Sequence, residues 1–154
     1  MPPTVENVAQ AHRFFSVDCF NRAWGLIDLP QRKADEQRQM LLLALASIWH
    51  WTQRPDCTNQ NLSIGYWQVS RVYALLGQAE NAQEYGEACL KYSSSLSPFY
   101  LAYAHEALAR AAFVAKDHVR VSRHLAAADE LVAAITATDE RQAIEKDLAS
   151  LRLS

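Results

Sequence analysis

Glycine and proline are scarce in this sequence, which has four Gly and five Pro among its 154 residues. So few of them exclude a linker-rich or collagen-like chain. Half of the residues are hydrophobic and 21% are charged, which supplies enough apolar material for a core and excludes a disordered chain. The length is that of one ordinary domain, and we therefore expect a single domain over residues 1–154.

The chain also lacks a large excess of charge of either sign and any pattern of paired cysteines. Its 15 Lys and Arg face 17 Asp and Glu, for a net charge of -2, so no general electrostatic attraction draws it to nucleic acid or to anionic lipid. Cys19, Cys57 and Cys89 are odd in number and have neither CxxC nor CxxxH spacing. This excludes the usual zinc sites and disulfide frameworks and favours a reducing cytoplasm.

Long apolar runs are missing as well. The longest strongly apolar run, Met40–Ala46, is far shorter than the roughly 20 residues that cross a bilayer. Residues 1–8 have neither the basic region nor the apolar stretch of a signal peptide. We therefore expect no membrane-spanning segment, no signal peptide and a cytoplasmic location.

The sequence is rich in alanine, mostly in segments whose apolar residues recur three and four positions apart. This spacing is typical of helices, and the alternation typical of strands is absent, so we predict an all-α class. Its loops are short, so consecutive helices are expected to pack antiparallel. The last helix has a narrow apolar stripe, Ile144, Leu148 and Leu151, which suits a helix that caps a stack. We predict seven helices, over about 5–26, 35–53, 60–76, 79–95, 98–115, 118–135 and 138–152.

An internal repeat is visible at an offset of about 39 residues. Its first copy has an aromatic, an apolar and a small residue, then Tyr, Gly and a second small residue, at Tyr66, Val69, Ser70, Tyr73, Gly77 and Ala82. The equivalent places of the second copy are His105, Leu108, Ala109, Ala112, Lys116 and Val121. This pattern resembles the tetratricopeptide repeat, clearly over about 62–95 and fairly over 98–135. Lys116 departs from it, because the family prefers Gly at that place.

The resemblance implies a function. In tetratricopeptide-repeat proteins the first helices of the repeats line a concave groove that binds a peptide or a partner protein. By position, the residues facing that groove here include Trp67, Arg71, Tyr103, Glu106 and Arg110. Two guanidinium groups beside aromatic rings would suit a carboxylate or an acidic segment. The alternative is that Glu106 and Arg110 simply form an exposed i,i+4 pair on one helix.

Two tryptophans in one helix give a further hypothesis. Trp49 and Trp51 point in nearly opposite directions, because successive helical residues are about 100° apart. Either one of them lines a groove or interface, or both are packed in a core. Only the last helix is a polar capping helix, so the N-terminal end of the stack is expected to expose an apolar patch. Such a patch would favour a homodimer.

The five histidines allow a metal hypothesis, although none of them has HxxxH or HExxH spacing. Only convergence in space would build a site, for example from His12, His50, His105 and Glu106. The sequence has no Gly-rich phosphate loop and no GxSxG. We therefore expect a non-catalytic, tetratricopeptide-like module that binds a protein or peptide, without metal or cofactor. The alternative is a helical-bundle metalloprotein, or a small-molecule-binding enzyme, built on those histidines.

Overall fold

The computed structural model describes residues 1–152, and within them the chain is helical without strands. No helix in that range combines the length and the apolar character needed to cross a membrane. The all-α class and the seven predicted helices are confirmed. The domain predicted over 1–154 also includes Leu153 and Ser154, which lie outside the described residues. The helices are α1 (Val5–Ile27), α2 (Ala34–Thr52), α3 (Asn59–Leu75), α4 (Ala79–Ser93), α5 (Pro98–Val114), α6 (His118–Val132) and α7 (Thr138–Arg152).

Local chemistry sets several of these helix starts. The side chain of Thr4 accepts a hydrogen bond from the backbone N–H of Asn7 at the start of α1. The side chain of Asp117 accepts one from the backbone N–H of Arg120 at the start of α6. Pro98 occupies the first turn of α5, where its missing N–H costs nothing. Thr4 and Asp117 each satisfy a backbone N–H that the first turn of a helix leaves unpaired, and Pro98 has no N–H that needs a partner.

The loops after α3 and α5 have the same geometry, although their sequences differ. Gly77 has φ 73°, and Lys116, at the equivalent place of the second copy, has φ 59°. The next residue donates its backbone N–H to a carbonyl five positions earlier in both loops, at 2.9 Å: Gln78 to Tyr73, and Asp117 to Ala112. Both loops therefore turn through a left-handed residue, a conformation that Gly77 adopts without strain and Lys116 adopts despite its side chain.

The helices pack as three successive hairpins, α1 with α2, α3 with α4, and α5 with α6. The first helices of the last two hairpins, α3 and α5, also lie against each other, and α7 packs on α5 and α6. Small residues allow close crossings within the second hairpin. Ser70 and Ala82 are both buried, and the Ser70 hydroxyl donates to the Ala82 carbonyl at 2.7 Å.

Two apolar clusters form the core, one toward each end of the row of hairpins. The first joins α1, α2 and α3 and includes Ala23, Met40, Ile48 and Val69. The second joins α5, α6 and α7 and includes Ala102, Ala128, Val132, Ile144 and Leu148. Ile144, Leu148 and Leu151 are all buried, so the apolar stripe predicted for the last helix does cover the end of the row.

The left-handed turn at Lys116 predicts a stabilising substitution. We expect Lys116→Gly to raise the free energy of unfolding by about 1 kcal/mol, because a left-handed backbone costs a residue with a side chain roughly that much. The matched control is Ala115→Gly, next to it in the same loop, where φ is -74°. That control should lower the stability by about 0.5–1 kcal/mol. Urea unfolding of the two variants checks the sign, and a destabilised Lys116→Gly protein would contradict the assignment.

Candidate functional site

A fully buried carboxylate, Glu106, lies at the centre of the site. The indole N–H of Trp67 donates to its Oε2 at 2.8 Å, and Nη1 of Arg71 donates to its Oε1 at 3.3 Å. Nε of Arg110 also donates to Oε1. A buried charge is tolerated when opposite charges and hydrogen bonds surround it, and these three donors meet that requirement.

The same network connects α5 to α7. Nη2 of Arg110 donates to the backbone carbonyl of Asp147 at 3.1 Å and to the hydroxyl of Ser150 at 2.9 Å. The Tyr103 hydroxyl donates to Oδ2 of Asp147 at 2.9 Å. Burial, and after it the charge of Asp147, raises the pKa of Tyr103, so this phenol remains a hydrogen-bond donor at neutral pH. Helices α3, α5 and α7 are therefore tied together through polar side chains.

The five residues assigned to a groove from the sequence do come together in space. Arg110, however, directs Nε and Nη2 at other groups of the protein. Arg71 directs Nη1 at Glu106, while its Nε is buried without a hydrogen-bond partner among residues 1–152. Burial lowers the pKa of Arg71 and the Glu106 carboxylate opposes that effect. The expected i,i+4 pair of Glu106 and Arg110 does form, but it is not exposed, because 0% of the Glu106 side chain and 15% of the Arg110 side chain are accessible.

Beside this network lies a cavity of about 310 Å³, which we call the aromatic groove. It lies where α1, α3, α5 and α7 meet, and that volume is at the lower end of the range for ligand pockets. Its lining includes two of the predicted residues, Trp67 and Tyr103. The full lining is Phe20, Trp24, Ser63, Ile64, Trp67, Phe99, Tyr100, Tyr103 and Asp147.

The rings of the aromatic groove form a continuous series. The Trp24 and Trp67 rings are 5.5 Å apart, and the Trp67 and Tyr103 rings are also 5.5 Å apart. Phe99 lies 5.1 Å from Tyr103 and 5.2 Å from Tyr100. These are ordinary aromatic packing distances, so the walls hold each other in place. A groove with such walls is formed before any ligand arrives.

Sequence reasoning missed four of these rings, Phe20, Trp24, Phe99 and Tyr100. The repeat pattern did not include α1, so the two rings that α1 supplies had no predicted place. The other two are the first residues after Pro98, and Phe99 is four positions before Tyr103. That spacing puts Phe99 and Tyr103 on one face of a helix, and it was the signal available in the sequence.

Four of the five histidines form two separate pairs. Nδ1 of His12 lies 2.8 Å from Nδ1 of His50, and Nδ1 of His105 lies 3.1 Å from Nδ1 of His124. Glu106 is bound to Trp67 and the two arginines instead. The set His12, His50, His105 and Glu106 therefore does not converge. Among residues 1–152, no group of three or more His, Cys, Asp and Glu side chains is placed to hold a metal ion.

The two tryptophans of α2 have opposite environments, as their spacing predicts. Trp51 packs against the first core cluster. The guanidinium carbon of Arg54 lies over its ring, 3.9 Å from the ring centroid. Trp49 is 54% exposed. Its ring centroid lies 5.3 Å from that of His12 and 4.9 Å from that of His50. One indole therefore belongs to the core and the other to the surface.

The buried network predicts a large loss of stability when its charge is removed. Glu106→Gln keeps the shape of the side chain but leaves Arg71 and Arg110 without their buried counter-charge. We expect the free energy of unfolding to fall by about 3 kcal/mol. The control Glu145→Gln removes an exposed carboxylate of α7 and should stay within about 0.5 kcal/mol of the unchanged protein. Equal stabilities of the two variants in urea unfolding would contradict the role given to Glu106.

The second histidine pair predicts a dependence of stability on pH. Burial lowers the pKa of both His105 and His124. An unfolded histidine binds its proton near pH 6.5, so below that value the unfolded chain holds protons that the folded chain does not. Stability should therefore fall as the pH drops from 7 toward 5, by at most about 1.4 kcal/mol per pH unit for each histidine. His124→Gln should flatten this slope and the exposed control His118→Gln should not; equal slopes would contradict the assignment.

No protein-family model matches this chain, and neither does any curated protein or solved structure. The resemblance to tetratricopeptide repeats therefore depends on the residues of the two helix pairs and on the matching turns at Gly77 and Lys116. Over residues 1–152, the chain is an all-helical protein of seven helices, a fold compatible with a helical repeat.

Proposed function

We propose that this chain is a non-catalytic module of the tetratricopeptide-repeat type, which binds a protein or peptide in the aromatic groove. The observation that carries the proposal is the groove itself, whose walls come from the first helices of all three hairpins and from α7. In the repeat family this inner face is the binding face. Aromatic side chains in a preformed groove are the residues that contribute most to binding energy at protein interfaces.

The polar network beside the groove supports binding rather than catalysis. Catalytic acids and bases must reach the reacting atoms of a substrate. Glu106 is fully buried and its oxygens accept from Trp67, Arg71 and Arg110. Its role in our proposal is to hold Trp67 in the groove wall, which makes it a structural residue of a binding site.

A cytoplasmic location belongs to the same proposal. The cysteines Cys19, Cys57 and Cys89 are all free. Cys19 and Cys89 are buried, so they behave as small apolar core residues. Free core thiols are typical of a reducing compartment.

Photo-crosslinking inside the cells that make the protein tests the groove. We expect p-benzoylphenylalanine in place of Tyr100, on the groove wall, to give a discrete crosslinked product with a partner. The matched control carries the same group in place of Ser122, which is exposed on α6. Products from neither position, or the same products from both, would contradict a partner-binding groove.

We also propose that the N-terminal end of the row of hairpins mediates self-association. An exposed aromatic patch lies there, formed by Phe14, Phe15 and Trp49, which are 60%, 41% and 54% exposed. The patch is continuous, because the Phe14 ring contacts Phe15, the Phe15 ring contacts His50, and His50 contacts Trp49. A second copy of the chain would cover these rings, since exposed clusters of this kind mark interaction surfaces.

Light scattering tests the dimer. The chain has a mass of 17.3 kDa, and we expect a particle of twice that mass at high protein concentration. Trp49→Glu should return it to a monomer, because the variant places a charge within the apolar contact. The control Val119→Glu changes another exposed apolar residue, on α6, and should leave the dimer intact. A monomer at every concentration would refute self-association.

A further inference from the structure

The charges of the site are divided between two neighbouring surfaces. Arg71 and Arg110 line a separate depression of about 200 Å³, together with Leu75, Phe113 and Leu151. They do not belong to the lining of the aromatic groove, in which Asp147 is the charged residue. A ligand in the aromatic groove would therefore meet ring faces and one carboxylate, with the guanidinium groups outside its lining.

This combination suits a positive charge. The face of an aromatic ring is electron-rich and attracts cations, Trp most strongly, and the groove has two tryptophans among six rings. A carboxylate can accept hydrogen bonds through both oxygens, and Tyr103 uses Oδ2 of Asp147. An anionic side chain in the same place would face ring electrons and a like charge. The complementarity of the groove is thus to a cation attached to an apolar group.

We propose that the aromatic groove binds a peptide segment in which an arginine side chain lies next to an apolar residue. The proposal rests on the peptide-binding function proposed above and specifies its ligand. Arginine fits better than lysine, because its planar guanidinium stacks on rings and donates two parallel hydrogen bonds to a carboxylate. The apolar neighbour would occupy the part of the groove near Ile64 and Phe20, which also line an adjoining cavity of about 190 Å³.

An acidic segment is the rival ligand, and it is the one that the sequence alone suggests. It would need free guanidinium donors in the groove. Arg110, however, donates to Glu106, Asp147 and Ser150, and Arg71 donates to Glu106. Both guanidinium groups also line the separate depression and not the aromatic groove, so an acidic segment in the groove would face Asp147 without reaching them. The charge of the ligand is therefore the quantity to measure.

Three blocked dipeptides serve as probes: N-acetyl-phenylalanyl-arginine amide and its glutamine and glutamate counterparts. Their binding is followed through the indole N–H signals of the ¹⁵N-labelled protein by NMR. Trp24 and Trp67 line the groove, and the exposed Trp49 is the internal reference outside it. We expect the arginine probe to shift the Trp24 and Trp67 signals and not that of Trp49. Its Kd should be about three- to tenfold below that of the glutamine probe, with the glutamate probe weakest.

Asp147→Asn tests the source of this preference. The amide oxygen of the variant still accepts the Tyr103 hydrogen bond, while the negative charge is lost. We expect the preference for arginine over glutamine to fall at least by half. The control Glu145→Gln removes one charge from the same helix, outside the groove lining, and should keep the full preference. The spread of the indole signals reports whether each variant is folded.

The outcomes separate this inference from the proposed function. Equal binding of the three probes, tighter binding of the glutamate probe, or a preference that Asp147→Asn leaves unchanged would overturn the arginine inference while the groove remains a peptide site. If none of the probes shifts the Trp24 and Trp67 signals, both the inference and the peptide-binding groove are contradicted. An arginine preference that depends on Asp147 supports both.

Discussion

The buried carboxylate of Glu106 is the constraint on which the site depends. A charge with no access to water must be matched by opposite charge and by hydrogen bonds, or the chain does not fold around it. Here the match comes from Trp67 and Arg71 on α3 and from Arg110 on α5. Arg110 continues the connection to α7. One carboxylate therefore fixes how three helices lie against each other.

This constraint also determines what the groove offers to a ligand. Because the Glu106 network engages both guanidinium groups, the neighbouring groove is left with ring faces and the carboxylate of Asp147. Because the Trp67 indole N–H is bound inside the protein, the ring is held as part of the groove wall. A wall that is fixed in advance loses little conformational entropy when a ligand binds. Under the proposed function, the Trp67 side chain therefore has both a structural and a binding role.

The helices could be predicted from the sequence because local chemistry determines them. The site could be predicted only in part, because it also depends on how distant helices pack. The cap at Asp117 and the turn at Gly77 depend on residues only a few positions away, so they can be recognised directly in the sequence. The repeat offset brought Trp67 and Tyr103 to one face. Whether Glu106 is exposed or buried depends on where α3 packs, with Trp67 lying 39 residues earlier in the chain, and no local pattern contains that information. The two rings of α1 in the groove were missed for the same reason, since long-range packing places them there.

Hydrogen exchange of the Glu106→Gln protein tests this constraint most directly. If Glu106 holds α3, α5 and α7 together, amides of these helices should exchange faster in the variant than in the unchanged protein, and by a larger factor than those of α1 and α2. The α1 and α2 pair packs in the first apolar cluster, whose residues come from α1 to α4, and this makes the pair the internal reference. Unchanged exchange in α7, or acceleration spread evenly over the whole chain, would contradict the account.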